Sequence, residues 1–198
     1  MSDTPGGDGD VVTLLLRQHG DIRTLFDAVE RATDAERRTA FRRLVRLLAV
    51  HETAEEEVLH PVARAVFTGG RDIVRERLTE EKEAKELLDR LDGAAPDDPA
   101  FLPALALLRT EVTRHARAEE RYEFPHVLRH TPPGRLTAMA AGVRAARAVA
   151  PLDESPLPAV VDRTRDAVRE AMGKDGAGPA HVGRAGIRSV SVGRSRAG

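Results

Sequence analysis

Four long stretches of this 198-residue chain carry apolar residues at steps of three and four, and each stripe is broken near its middle by histidine or glutamate. Such steps place side chains on one face of an α-helix. In the first stretch Val12, Leu15, Ile22 and Phe26 leave a gap filled by His19. In the second, Phe41, Leu44 and Leu48 lead to His51 and Glu55 before Val58 and Val62 resume. The third carries Val74, Leu78, Leu88 and Leu91 around a gap at Glu81, and the fourth runs Leu105, Leu108, Val112, His115, Glu119, Tyr122. Polar side chains of ligand type therefore point where a core should be.

The stripes predict the fold class. A first helix is expected from about Val11 to Ala32, and a second from an N-cap near Asp34 to Gly69–Gly70, kinked at Pro61. A third closes at Gly93, the loop AAPDDP follows, and a fourth runs from about Ala100 to His130. Long amphipathic helices with short joints predict an all-α, up-down-up-down four-helix bundle over residues 11–131. Residues 1–10 are read as a flexible N-terminus, 132–173 as additional C-terminal helices with a linker, and 174–198 as a disordered tail rich in Gly, Arg and Ser.

Burying three histidines and three glutamates without compensation is untenable, because an ionised carboxylate taken out of water costs several kcal/mol. Residues four apart on a helix lie one turn above each other, so each His-x-x-x-Glu pair aims a nitrogen and a carboxylate at one point. The layout HETAEEEVLHP at 51–61 recurs as HARAEERYEFP at 115–125, with His51, Glu55 and Pro61 matched by His115, Glu119 and Pro125. Two metal ions would neutralise and be bridged by the carboxylates. Oxygen and nitrogen donors without thiolate suit iron or manganese, and also zinc. Carboxylate bridges would hold the ions roughly 3.5–4 Å apart.

Composition narrows the alternatives. There are no cysteines, which removes disulfides, thiolate catalysis and cysteine-held clusters. The net charge of -1 offers no global basic field for nucleic acid. The polar start has no signal-peptide pattern, and no apolar run reaches transmembrane length. The expected setting is cytoplasmic, with neither a membrane nor a nucleic acid as partner.

In order and spacing, RQHGD, HETAEEEVLHP, EEKEAKELLDRL and HARAEERYEFP over residues 11–130 resemble the haemerythrin-like family, the HHE cation-binding domains. The resemblance implies two iron ions in a non-haem centre inside a four-helix bundle, with His19, His51, Glu55, His115 and Glu119 as ligands. Manganese or zinc suits it less well. Where that family usually has a histidine on the third helix, this chain has Glu81: either it is a ligand in that place, which the stripe favours, or that iron lacks a ligand. The implied partners are small: O2, H2O2 or NO, handled by a catalase-like or sensing centre. Two alternatives stand beside this, a non-catalytic iron- or oxygen-binding module and a metal-free helical interaction domain.

Regular helix geometry sorts the remaining polar residues. Glu56, Glu57 and Glu120 are expected in solvent, and Glu80 and Glu83 off the inner stripe. His60 is expected on the surface, half a turn from His51. His126 continues the inner stripe too far along for the same ions, His130 suits a helix C-terminus, and His181 lies in the tail. Tyr122 is expected on the inner face, where it would either hydrogen-bond a small ligand or serve as a core aromatic.

Overall fold

The computed structural model describes residues 9–66, 68–92, 94–95, 97–149 and 155–174, and all regular structure among them is helical. Helix α1 (Val11–Arg31) opens on Asp10, whose side chain accepts a hydrogen bond from the Thr13 backbone N–H at 2.9 Å. That satisfies one of the donors a helix start leaves free. The second rod consists of α2 (Asp34–Ala54), a π-helical turn (Glu55–Leu59) and α3 (His60–Val66). Thr33, not Asp34, occupies its N-cap position. The rod passes through Pro61 without breaking, because the wider π turn before it absorbs the missing N–H.

At the far end Gly69 takes φ 87°, and a Cβ on Gly70 would overlap the Ala63 carbonyl. Only glycine gives both the left-handed turn and so close an approach. Helix α4 (Gly70–Asp92) returns along the bundle. The fourth rod is α5 (Phe101–Ala118), a second π turn (Glu119–Glu123) and α6 (Phe124–His130). Contacts of α1 with α2, α3 with α4, α4 with α5 and α5 with α1 close the four rods into the expected ring.

The interior is layered. At one end Ile22, Phe26, Phe41, Leu44, Leu48, Leu88, Leu105 and Leu108 form an apolar core. At the other, Val12, Leu15, Val58, Leu59, Val62, Val74, Phe124 and Val127 form a second. Between them every rod changes from one core to the other, and the residues at the change are the polar gaps of the sequence. Each fully buried apolar side chain contributes roughly 1.5–3 kcal/mol. Two separate apolar cores therefore hold a polar layer that does not stabilise itself.

Helix α7 (Pro133–Ala148) packs on α1 and α2, and α8 (Leu157–Lys174) packs on α7 and α2. Both extend the second core through Met139, Val143, Val160 and Val168. Arg165 and Arg169 of α8 hold Glu57 at 2.9–3.1 Å, so Glu57 is a tether to α8 and not the solvated group expected. The flexible start and the disordered tail expected from the sequence lie, except for Gly9, Asp10 and Lys174, outside the described residues. Among the described residues no helix is long and apolar enough to cross a membrane.

Candidate metal centre

Both π turns begin at the glutamate of a His-x-x-x-Glu pair. The His60 N–H reaches back five residues to the Glu55 carbonyl, and the Phe124 N–H likewise to that of Glu119. Such a turn inserts one residue into the helix and rotates everything after it, so residues five apart come nearly into line. Pro61 and Pro125 follow each closing bond directly. A proline there has no N–H to give and clashes with the carbonyl of a regular turn, which favours the wider one.

The six residues picked out by the stripes, His19, His51, Glu55, Glu81, His115 and Glu119, are all buried in the polar layer. Four of them supply atoms within 4.8 Å of one another: His19, His51, Glu55 and Glu119. His51 Nε2 lies 3.4 Å from Glu55 Oε1, and His19 Nε2 lies 3.3 Å from Glu119 Oε2. A second group, equally close, is His60, Glu119 and Glu123. Glu119 belongs to both groups. His115 Nε2 sits 3.5 Å from Glu119 Oε1, and Glu81 Oε1 sits 3.5 Å from His60 Nε2, so both flank the two groups without joining either.

Three histidines are locked by their other nitrogen. His51 Nδ1 donates to Gln18 Oε1 at 2.8 Å, His19 Nδ1 to Glu120 Oε1 at 2.8 Å, and His115 Nδ1 to Glu80 Oε2 at 3.1 Å. Each bond orients its ring so that Nε2 faces the cluster, the arrangement by which ligating histidines are oriented. Phe124 stacks on the His19 ring with centroids 5.7 Å apart, holding it from the apolar side.

Several side chains depart from the regular-helix expectation, for one physical reason. The π turns change the angular count, which brings His60 inward to 1% exposure and buries Glu123 completely. The same rotation turns Tyr122 outward to 52% exposure against Arg121, so it is not an inner-face group. Glu120 is only partly exposed and orients His19. Glu80, expected off the stripe, is buried between His115, Arg114 at 2.6 Å and Arg77 at 3.3 Å. The prolines ten residues after His51 and His115 were the available sequence signal for the π turns. Gln18, beside His19, gave none.

The electrostatics are those of donors lacking their acceptor. Neither oxygen of Glu55, Glu119 or Glu123, neither ring nitrogen of His60, and neither His19 Nε2 nor His115 Nε2 has a hydrogen-bond partner in the protein. Burial, and the other carboxylates nearby, push the Glu55 carboxyl well above its usual range. Burial also pushes Glu81 up to about 9 and Glu123 up to about 8. Burial pulls His51 down to about 3 and His60 to about 4. Burial alone would lower His115, but Glu119, Glu80 and Glu81 raise it to about 10. Burial would raise Glu119, yet His115 and His19 hold it well below the usual carboxylate range. Orphaned lone pairs this concentrated fit cations: the carboxylates match their charge and the neutral imidazoles complete the donor set.

The Hemerythrin HHE cation binding domain model matches residues 10–127, the span that holds every residue of this cluster. The chain belongs to that family. A hemerythrin HHE cation binding domain-containing protein of Mycobacterium kansasii shares the fold with TM-score 0.65 at 17% identity, over 84% of this chain and 98% of that one. A DNA nickase of Nostoc sp. is 28% identical over 118 residues, 59% of this chain but 33% of that protein. The chain thus spans about a third of that relative, and α7 and α8 lie beyond the residues that the family model matches. As an HHE domain with a buried His/Glu cluster, the protein binds metal.

Beside the cluster lies a cavity of ≈ 20 Å³, whose lining includes His19, His51, Glu52, Glu81 and His115 together with apolar side chains such as Phe26 and Leu48. That volume holds little more than one water-sized molecule.

Proposed function

We propose that this chain is a non-haem di-iron protein whose centre reacts with or senses O2, H2O2 or NO. The observation that carries this reading is Glu119: both its oxygens are buried and unpartnered, and it belongs to both groups of ligand atoms. A shared carboxylate is how a protein holds two cations side by side. The donors are imidazole nitrogens and carboxylate oxygens only, a set that suits iron. Iron held there would supply reversible one-electron chemistry to a small oxidant, and a carboxylate-rich set favours its ferric state.

The surrounding residues support such a role. The cavity has the volume for a diatomic molecule or peroxide, and apolar side chains form part of its lining. Glu52 also lines it, and burial lifts its carboxyl to about 7. His19, His51 and His115 are held in place by Glu120, Gln18 and Glu80, so little reorganisation is required when a cation enters.

The test is elemental analysis of purified, anaerobically iron-loaded protein, followed by peroxide addition. About two irons per chain are expected for a two-metal site. Rapid disproportionation of peroxide would make the centre catalytic, and its absence would leave a binding or sensing module. A folded protein that takes up no iron would overturn the proposal in favour of another cation.

A further inference from the structure

The two copies of the motif differ where the π turns bring new residues inward. Eight residues after the histidine stand Leu59 in the first copy and Glu123 in the second, and nine residues after it stand His60 and Phe124. All four are buried. Each turn thus delivers one apolar and one polar side chain, in opposite order. The apolar pair, Leu59 and Phe124, joins the second core. The polar pair, His60 and Glu123, has no place in a core.

His60 has both ring nitrogens without a partner, and Glu123 both oxygens, at 1% and 0% exposure. A buried imidazole or carboxylate in an apolar layer finds a hydrogen bond or costs the fold several kcal/mol. Neither finds one, although the guanidinium of Arg77 is buried nearby beside Glu80. Their ligand atoms lie within 4.8 Å of each other and of Glu119. This group shares only Glu119 with the His19–His51–Glu55–Glu119 group.

We infer that His60 and Glu123 are metal ligands, which with Glu119 hold the second cation, so that the two positions are chemically unlike. The first position has two imidazoles and two carboxylates. The second has one imidazole and two carboxylates, with Glu81 3.5 Å from the His60 ring as a further oxygen donor. The oxygen-richer second position takes the harder cation and binds it more weakly when the metal is a nitrogen-preferring one. The assignment rests on the two-metal reading of the preceding subsection and goes further, giving the second ion ligands that the two π turns turn inward.

The protein's own repeat supplies the test substitutions: His60→Phe copies Phe124, and Glu123→Leu copies Leu59. Glu123→Gln, nearly isosteric, guards against a failure to fold. Iron per chain is measured by elemental analysis after anaerobic loading, with helicity followed by circular dichroism. Wild type is expected to hold about two ions and each variant about one, with the remaining ion lost when His51→Leu is added. Wild type and all three variants holding two ions would overturn the assignment and leave the di-iron proposal standing. Variants that fold but hold none would overturn it as well, because the positions would not be separately held. Wild type with fewer than two would fell both readings together.

Discussion

The two His-x-x-x-Glu turns have the same helix, the same π bond back to the glutamate and the same proline, yet they set their histidines in opposite electrostatic states. His51 gives its Nδ1 proton to a neutral amide, Gln18, and burial pulls it down to about 3. His115 gives its own to a carboxylate, Glu80, and with Glu119 beside it is raised to about 10. The backbone motif positions the imidazole, and its surroundings decide its basicity: Glu119 and then Glu80 raise His115, while burial and His19 lower His51. A carboxylate behind an imidazole makes it the stronger donor to a cation. The two copies of the motif are thus alike in backbone and unequal in charge.

The largest effect should separate the two glutamates. Glu119→Ala removes a ligand common to both groups and is expected to abolish binding of both ions, whereas Glu55→Ala should abolish one. A fully loaded protein at a hundred times its dissociation constant gains about 2.7 kcal/mol from a bound ligand. That stabilisation should vanish from the Glu119 variant's melting curve and survive in part for Glu55. Equal loss in both variants would break the asymmetry.

Smaller effects should follow from the orienting partners. Glu80→Gln and Gln18→Leu are each expected to weaken metal binding by about 10–100-fold, as loss of a histidine's outer partner does. Only Glu80→Gln should also pull the His115 titration downward, which NMR of the ring protons in the ion-free protein would follow. If Gln18→Leu moved His115 as far, the basicity would not come from Glu80.

The gentlest test is pH. Glu81, Glu123 and His115 have folded pKa values near 9, 8 and 10, above their unfolded values of about 4.3 for Glu and 6.5 for His. The folded ion-free protein therefore keeps protons the unfolded chain has lost, so its stability falls as pH rises. His51 and His60, lowered to about 3 and 4, act in the opposite sense, but only below about pH 6.5. Between about pH 6.5 and 9 the ion-free melting temperature should drop steadily. The metal-loaded protein, whose ligands are already deprotonated, should change less. A flat or rising ion-free curve would mean that the cluster is solvated.

By itself the sequence determined the all-helical bundle, the four rods and the polar layer. Spacing of Leu, Val and Phe at threes and fours is a local property, and a His or Glu in such a stripe lands inside wherever the stripe packs. His19, His51, Glu55, Glu81, His115 and Glu119 are buried for that reason. The tertiary structure alone decided what lies beyond Glu55 and Glu119. Angular counting assumes 3.6 residues per turn throughout, and one inserted residue in each π turn brought His60 and Glu123 in while sending Tyr122 out. It also decided which partner each histidine has, since Gln18, Glu80 and Glu120 meet their rings across helix boundaries that no pattern along a single helix records.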